Sequence, residues 1–251
     1  MTLDDLVTAL VASGADGHYA IDLPDNWSQG RTAYGGFTAA MGLASARDCF
    51  ADLPPLRSVQ VAFVGPLSSR IDFAPILLRR GRSASFVRVD ASSGKDVGAA
   101  MTFVFADDRE SAVSIAVPDE PIGTGAVIHV PEQVRFAQNF DHWLVEGVTH
   151  FVDRFVRLKV PSSVDPEIEV LAVADLLPPP ALFNLPEFVP LSSMSWQIDL
   201  MGPAFRSADG RWRLKNEAEM HDHGLSTQRM SMWDGAGRLV ASGRQLVTLF
   251  G

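Results

Sequence analysis

The run Ser58-Val59-Gln60-Val61-Ala62-Phe63-Val64-Gly65-Pro66 alternates apolar and smaller residues and stops at Gly-Pro. Ser195-Trp196-Gln197-Ile198-Asp199-Leu200-Met201-Gly202-Pro203 does the same, 137 residues later. Further on, Phe86 to Asp90 passes through a turn at Ser93-Gly94-Lys95 into Val97 to Phe105. Arg229 to Trp233 likewise passes through Asp234-Gly235-Ala236-Gly237 into Leu239 to Phe250, with the turn glycines Gly94 and Gly237 set 143 residues apart. Gly-containing turns between alternating runs are hairpin signals. Two similar offsets, each joining strand-like runs, mark one unit written twice. A single unit of one helix and several antiparallel strands leaves a sheet edge and an apolar face open. Two units paired edge to edge close both.

Each unit carries one helical stretch ahead of its strands. In the first it runs from Tyr34-Gly35-Gly36-Phe37 to Phe50, and in the second from Asp165-Pro166-Glu167 to Leu177. Asp165 suits an N-cap, Pro166 the first helical position, and Pro178-Pro179-Pro180 a stop. The predicted division is an N-terminal unit over residues 1–115, a linker over 116–131 and a C-terminal unit over 132–251. Pro118, Pro121, Gly123 and Gly125 mark that linker. A first strand of the second unit falls in Arg135 to Glu146 or in Thr149 to Leu158, and periodicity does not choose between them.

The fold order Tyr34-Gly35-Gly36, the Arg79-to-Phe105 hairpin and the closing Leu239-Val240-Ala241-Ser242-Gly243-Arg244-Gln245 run resembles the acyl-CoA thioesterase II-like family. The match extends over most of the chain, and it is the order of the motifs that carries it. The resemblance implies an α+β double hot dog, in which two tandem units each wrap an antiparallel sheet around a central helix. It also implies hydrolysis of acyl-CoA thioesters by a water that an aspartate activates with help from a hydroxyl and a glutamine. On that pattern Asp175 is the aspartate, Ser193 stands where the family has Thr, and Gln245 is the glutamine. Ser195 stands where many members carry Asp. A non-catalytic module binding acyl-CoA or acyl carrier protein is the alternative on the same fold. A hydratase would need an Asp and a His a few positions apart at a helix start, and neither Asp165 nor Asp175 has such a His.

The residues can also be read by themselves. Ile168, Leu171 and Ala172 share the helix face of Asp175. A carboxylate on an apolar face, near a helix C-terminus, is disfavoured by burial and by the macrodipole. Both effects raise its pKa and suit it to act as a general base. The other reading is a helix-ending residue facing solvent. Parity along the strand sets Ser193 on one face with Ser195, Gln197 and Asp199, either as a polar solvent face or as part of a site. Gln245 falls on a mostly apolar face with Ala241, Gly243, Val247 and Leu249, where its amide needs partners. Gly35 and Gly36 either open a helix start to an oxyanion or permit close packing. Arg79, Arg80 and Arg82 either meet the phosphates of coenzyme A or form a solvated turn. Tyr34, Gly35, Gly36 and these arginines are the expected substrate-binding residues.

Several classes are disfavoured. A net charge of −9, from 21 basic and 30 acidic side chains, argues against a broad nucleic-acid surface. The single cysteine, Cys49, excludes an intrachain disulfide and fits a reducing compartment. Met1 to Leu6 lacks the basic start of a secretory signal, and no apolar run has membrane-helix length, so a cytoplasmic location is expected. The Gly-x-Ser-x-Gly pattern fails in Gly81-Arg82-Ser83-Ala84-Ser85, and no phosphate loop is present. His221 and His223 flank Asp222 without a nearby third ligand, which reads as a hairpin surface rather than a metal site. No metal and no cofactor beyond the coenzyme A of the substrate is expected. A homodimer or higher homo-oligomer fits a unit that already mimics a dimer.

Overall fold

In the computed structural model of the chain the repeated strands lie side by side. The structure describes residues 1–115, 117, 119–120, 123, 125–145, 151–187, 189–200 and 207–250. Pro118, Pro121, Glu146, Thr149 and the second Gly-Pro stop, Gly202-Pro203, lie outside the described residues. The first half contains α1 (Leu3–Ala12), β1 (Tyr19–Asp22), β2 (Ser28–Gln29), β3 (Thr32–Ala33) and α2 (Gly35–Cys49). Strands β4 (Leu56–Phe63), β5 (Arg70–Arg80), β6 (Ala84–Ser93) and β7 (Asp96–Ala106) complete it. The second half contains β8 (Phe140–Leu144), β9 (Phe151–Leu158), α3 (Pro166–Ala174) and β10 (Leu191–Leu200). It ends with β11 (Arg211–Asp222), β12 (Leu225–Trp233) and β13 (Leu239–Leu249).

Eleven strands form one sheet in the order β1-β5-β6-β7-β4-β10-β13-β12-β11-β9-β8. The halves join through β4 and β10, which pair antiparallel with Gln60 opposite Gln197, Val59 opposite Ile198 and Val61 opposite Trp196. Gln60 and Gln197 are counterparts in the repeat, so a pseudo-two-fold axis passes between them. This is the α+β arrangement expected, with each half-sheet closing the other's edge.

The sheet wraps both helices. Every residue of α2 from Gly35 to Ala46 is buried, as is α3 from Glu167 onward. A helix apolar all round belongs inside a core. One continuous hydrophobic cluster includes Phe37 and Met41 of α2, Leu171 of α3, and Phe103, Trp196 and Trp212 of the sheet. The two helices pack against each other with opposite ends adjacent. Arg47, late in α2, pairs with Asp165 and Glu167 at the start of α3, and Glu167 also accepts the Leu56 backbone N–H at 2.8 Å.

Some expectations change. Helix α3 starts as foreseen, with Asp165 accepting the Glu167 N–H and Pro166 at the first turn, but it ends at Ala174 rather than Leu177. The residue before a proline avoids helical geometry, so Pro178 unwinds the last turn. Both candidate stretches for the first strand of the second unit hold one, since β8 and β9 pair with each other. The repeat does not foresee α1, which Thr2 and Asp5 start with a reciprocal capping box. No helix among the described residues is long and apolar enough to cross a membrane.

Candidate active site

Asp175 is the C-cap of α3, just where the chain leaves the helix. That position puts its carboxylate at the opposite end of α2, beside Gly35 and Gly36. Gln245, inward on β13, donates Nε2–H to Asp175 Oδ1 at 2.8 Å and to Ser193 Oγ at 2.9 Å. The three expected catalytic residues therefore come together at the seam of the two units. Burial pushes the Asp175 carboxyl up to about 7, against the lowering effects of the Gln245 bond and of the Gly36 backbone N–H. By itself the C-terminus of α3 disfavours a negative charge there. The N-terminus of α2 faces the same carboxylate and offsets that penalty.

The face predicted for Ser193 is corrected. A β-bulge falls between Ser193 and Ser195, so Ser193 lies opposite Val247 while Ser195 lies opposite Leu246. The extra residue, Met194, reverses the alternation. Ser193 turns inward with Trp196 and Ile198, toward Gln245. Ser195 and Gln197 are exposed on the outer face, where Gln197 donates to Asp199 at 3.3 Å. Thus Ser195 stands apart from the acid. A shallow groove of about 500 Å³ lies on that outer face, with Gln60, Thr102, Ser195, Gln197 and Arg244 among its lining.

Gly35 and Gly36 are there for close approach. A Cβ on Gly35 would collide with Asp175 Oδ2 and lie 2.9 Å from Phe63 Cζ; one on Gly36 would lie 2.7 Å from the Tyr34 ring and hydroxyl. Tyr34, the N-cap of α2, is fully buried, donates to the Ala172 carbonyl at 3.2 Å and stacks on Phe136 with centroids 4.3 Å apart. Burial raises its pKa well above the usual value, and the Asp175 charge adds to this.

The arginines are not brought to the acid. Arg79, Arg80 and Arg82 are exposed around the β5–β6 turn, and Arg80 donates to the Ala51 carbonyl just beyond the C-terminus of α2. A 15-residue helix, about 22 Å long, separates that end from Gly35. His221 and His223 are exposed at the β11–β12 turn.

One residue was missed. Gln228 of β12 is fully buried and donates Nε2–H to Gln245 Oε1 at 2.5 Å. A register shift between Met232 and Trp233 sets it opposite Gln245, whereas unbroken pairing outward from Trp233 and Leu239 would set it opposite Arg244, so strand alternation alone gives no signal for it.

The N-terminal half lacks this constellation. Phe103 pairs with Val59 and Val87 as Gln245 pairs with Trp196 and Gln228. Leu56 precedes a matching bulge, as Ser193 does, and pairs with Phe105. Ten residues after their helix N-caps stand Ala44 and Asp175. The positions in the N-terminal half that match Asp175, Ser193, Gln245 and Gln228 are thus Ala44, Leu56, Phe103 and Val87, all apolar.

Comparison with known proteins agrees with the architecture. The family model described as the acyl-CoA thioesterase N-terminal domain matches residues 23–106, and that of the C-terminal domain matches residues 110–249. No curated protein matches the chain. Among solved structures, a conserved protein of unknown function with hot dog fold from Alicyclobacillus acidocaldarius superposes with a TM-score of 0.85 at 20% identity, covering 98% of each chain. The tesB protein of Mycobacterium avium subsp. paratuberculosis gives 0.77 at 18% identity, covering 100% of each chain. An acyl-CoA thioesterase II, TesB2, from Mycobacterium marinum gives 0.75 at 16%, covering 97% of this chain and 98% of its own. At these identities the likeness is one of fold, a double hot dog.

Proposed function

The chain belongs to the acyl-CoA thioesterase family, and from that premise we propose that it hydrolyses acyl-CoA thioesters with Asp175 as general base. The observation that carries this is the bonding of one glutamine. Both Nε2 protons of Gln245 are committed, to Asp175 Oδ1 and to Ser193 Oγ. Gln245 thus acts by fixing the acid and the hydroxyl, while the Ser193 proton stays free to engage a water or a carbonyl oxygen.

In the reaction the Asp175 carboxylate takes a proton from water as the water oxygen attacks the thioester carbonyl. The tetrahedral oxyanion is met by donors at the start of α2 and by Ser193. Collapse breaks the C–S bond and releases the fatty acid. The proton held by Asp175 goes to the leaving thiolate of coenzyme A, so the carboxylate is restored. Water and the thioester are the only reactants needed. A carboxyl with a pKa of about 7 is poised for this at neutral pH. Ionised Asp175 is the active form, so kcat/KM rises with pH through about 7 and then levels.

The test is thiol release from a panel of saturated acyl-CoAs, medium to long. Turnover by the wild type that Asp175→Asn abolishes supports the reading. Binding without turnover in both proteins overturns it in favour of an acyl-CoA or acyl carrier protein binding module. Equal rates in both keep hydrolysis and remove Asp175 from its centre.

A further inference from the structure

We propose that Gln228 is a positioning residue of this site: it fixes the direction of the Gln245 amide and, through it, both bonds to Asp175 and Ser193. The inference rests on the hydrolase reading for its kinetic consequences and on geometry for its substance. The oxygen and nitrogen ends of a glutamine amide are nearly alike in size, so packing alone does not choose between them. A half-turn of the Gln245 amide would set Oε1 against the Asp175 carboxylate and against Ser193. The donor Nε2–H of Gln228, bonded to Gln245 Oε1 at 2.5 Å, opposes that turn. With Gln228 fully buried, no solvent competes for the same atom.

A second observation supports it independently. Gln228 Oε1 is buried without a partner among the described residues, and so is Ser226 Oγ, two residues earlier on the same strand face. Unpaired buried polar atoms cost stability. The matching position of the N-terminal half carries Val87 opposite Phe103, which avoids that cost. A glutamine kept at a disadvantage, beside the one amide the site depends on, has a task beyond packing.

The groups facing Asp175 are few. Helix α2 contributes Tyr34 and the Gly36 amide, and β13 contributes Gln245. Burial raises its pKa, and the Gln245 amide and the Gly36 N–H are the donors that lower it, so loss of the Gln245 bond raises it further.

The experiment pairs kinetics with 13C NMR titration of the Asp175 carboxyl, assigned by its loss in Asp175→Asn. Gln228→Leu removes the donor and the unpaired oxygen together but leaves Gln245 Oε1 without its donor, so one buried unpaired oxygen replaces another and the thermal midpoint stays near that of the wild type. We expect kcat to fall about 10- to 100-fold with KM within about twofold. The Asp175 pKa should rise by roughly half a unit or more as its donor is lost. Gln228→Glu gives the opposite signature. Protonated, it donates to Gln245 Oε1 as the wild type does; ionised, it only accepts and turns the amide around. Its rate relative to wild type therefore falls as pH rises, whereas that of Gln228→Leu recovers. Unchanged Asp175 titration in a folded Gln228→Leu protein overturns the proposal whatever the rate. A shifted titration in a protein without thioesterase activity would uphold the positioning role and discard the hydrolase reading.

Discussion

At one end of the α2–α3 pair a buried acid, Glu167, lies against the guanidinium of Arg47; at the other, Asp175 is buried with amides as its partners. Both carboxylates sit where one helix starts and the other ends. The first is neutralised by a cation that also stacks over Phe105 at 5.3 Å and donates to the Leu53 carbonyl at 3.2 Å. The second has no cation beside it among the described residues. A guanidinium clamps a carboxylate in an ion pair, while amides hold it by hydrogen bonds without a compensating charge. On the proposed reading the same fold makes a clamp at one end and a base at the other, because chemistry resides in the residues set on a fold and not in the fold.

The largest expected effect breaks the second end. Asp175→Asn should lower kcat by about 10²- to 10⁴-fold, read as thiol release, because the general base is gone while the shape remains. Next, Arg47→Met should break the first end. It leaves Glu167 buried and unpaired and should cost about 2–4 kcal/mol in urea unfolding, with kcat per folded molecule unchanged. A fall in kcat to match would mean that the ends are not independent.

A smaller effect concerns the stability of Asp175→Asn itself. The folded protein keeps the Asp175 proton up to about 7, whereas the unfolded chain loses it near the ordinary carboxylate value of 3.8. The wild type therefore loses stability as pH rises between those values, and asparagine does not. The variant should be more stable by about 1–3 kcal/mol at pH 8 and no more stable at pH 4, measured by thermal unfolding at both. The smallest effect is expected from changing Arg79, Arg80 and Arg82 together to serine, with KM for acyl-CoA moving less than about twofold. A much larger rise would assign the coenzyme phosphates to that turn.

Much of this was legible in the chain. The repeat predicted β4 and β10 as counterparts, and they meet at Gln60 and Gln197. The resemblance points to Asp175, Ser193 and Gln245, and two hydrogen bonds join them. The face of Ser193 was not legible, because alternation assumes an unbroken strand and a bulge at Met194 carries no mark in composition. Gln228 was overlooked for a different reason. Its meaning lies in the residue across the hairpin, and a register shift between Met232 and Trp233 moves that partner by one residue from what unbroken pairing implies. The companion helix end that relieves Asp175 could not be read from α3 at all, since it comes from residues some 140 positions earlier.

The pairing at Gln60 and Gln197 has one more consequence. In an assembly of two identical chains every substitution is made twice, so a loss at one catalytic centre is a loss at both. Covalent fusion removes that tie. Phenylalanine and valine could take positions in one half whose counterparts in the other are glutamines.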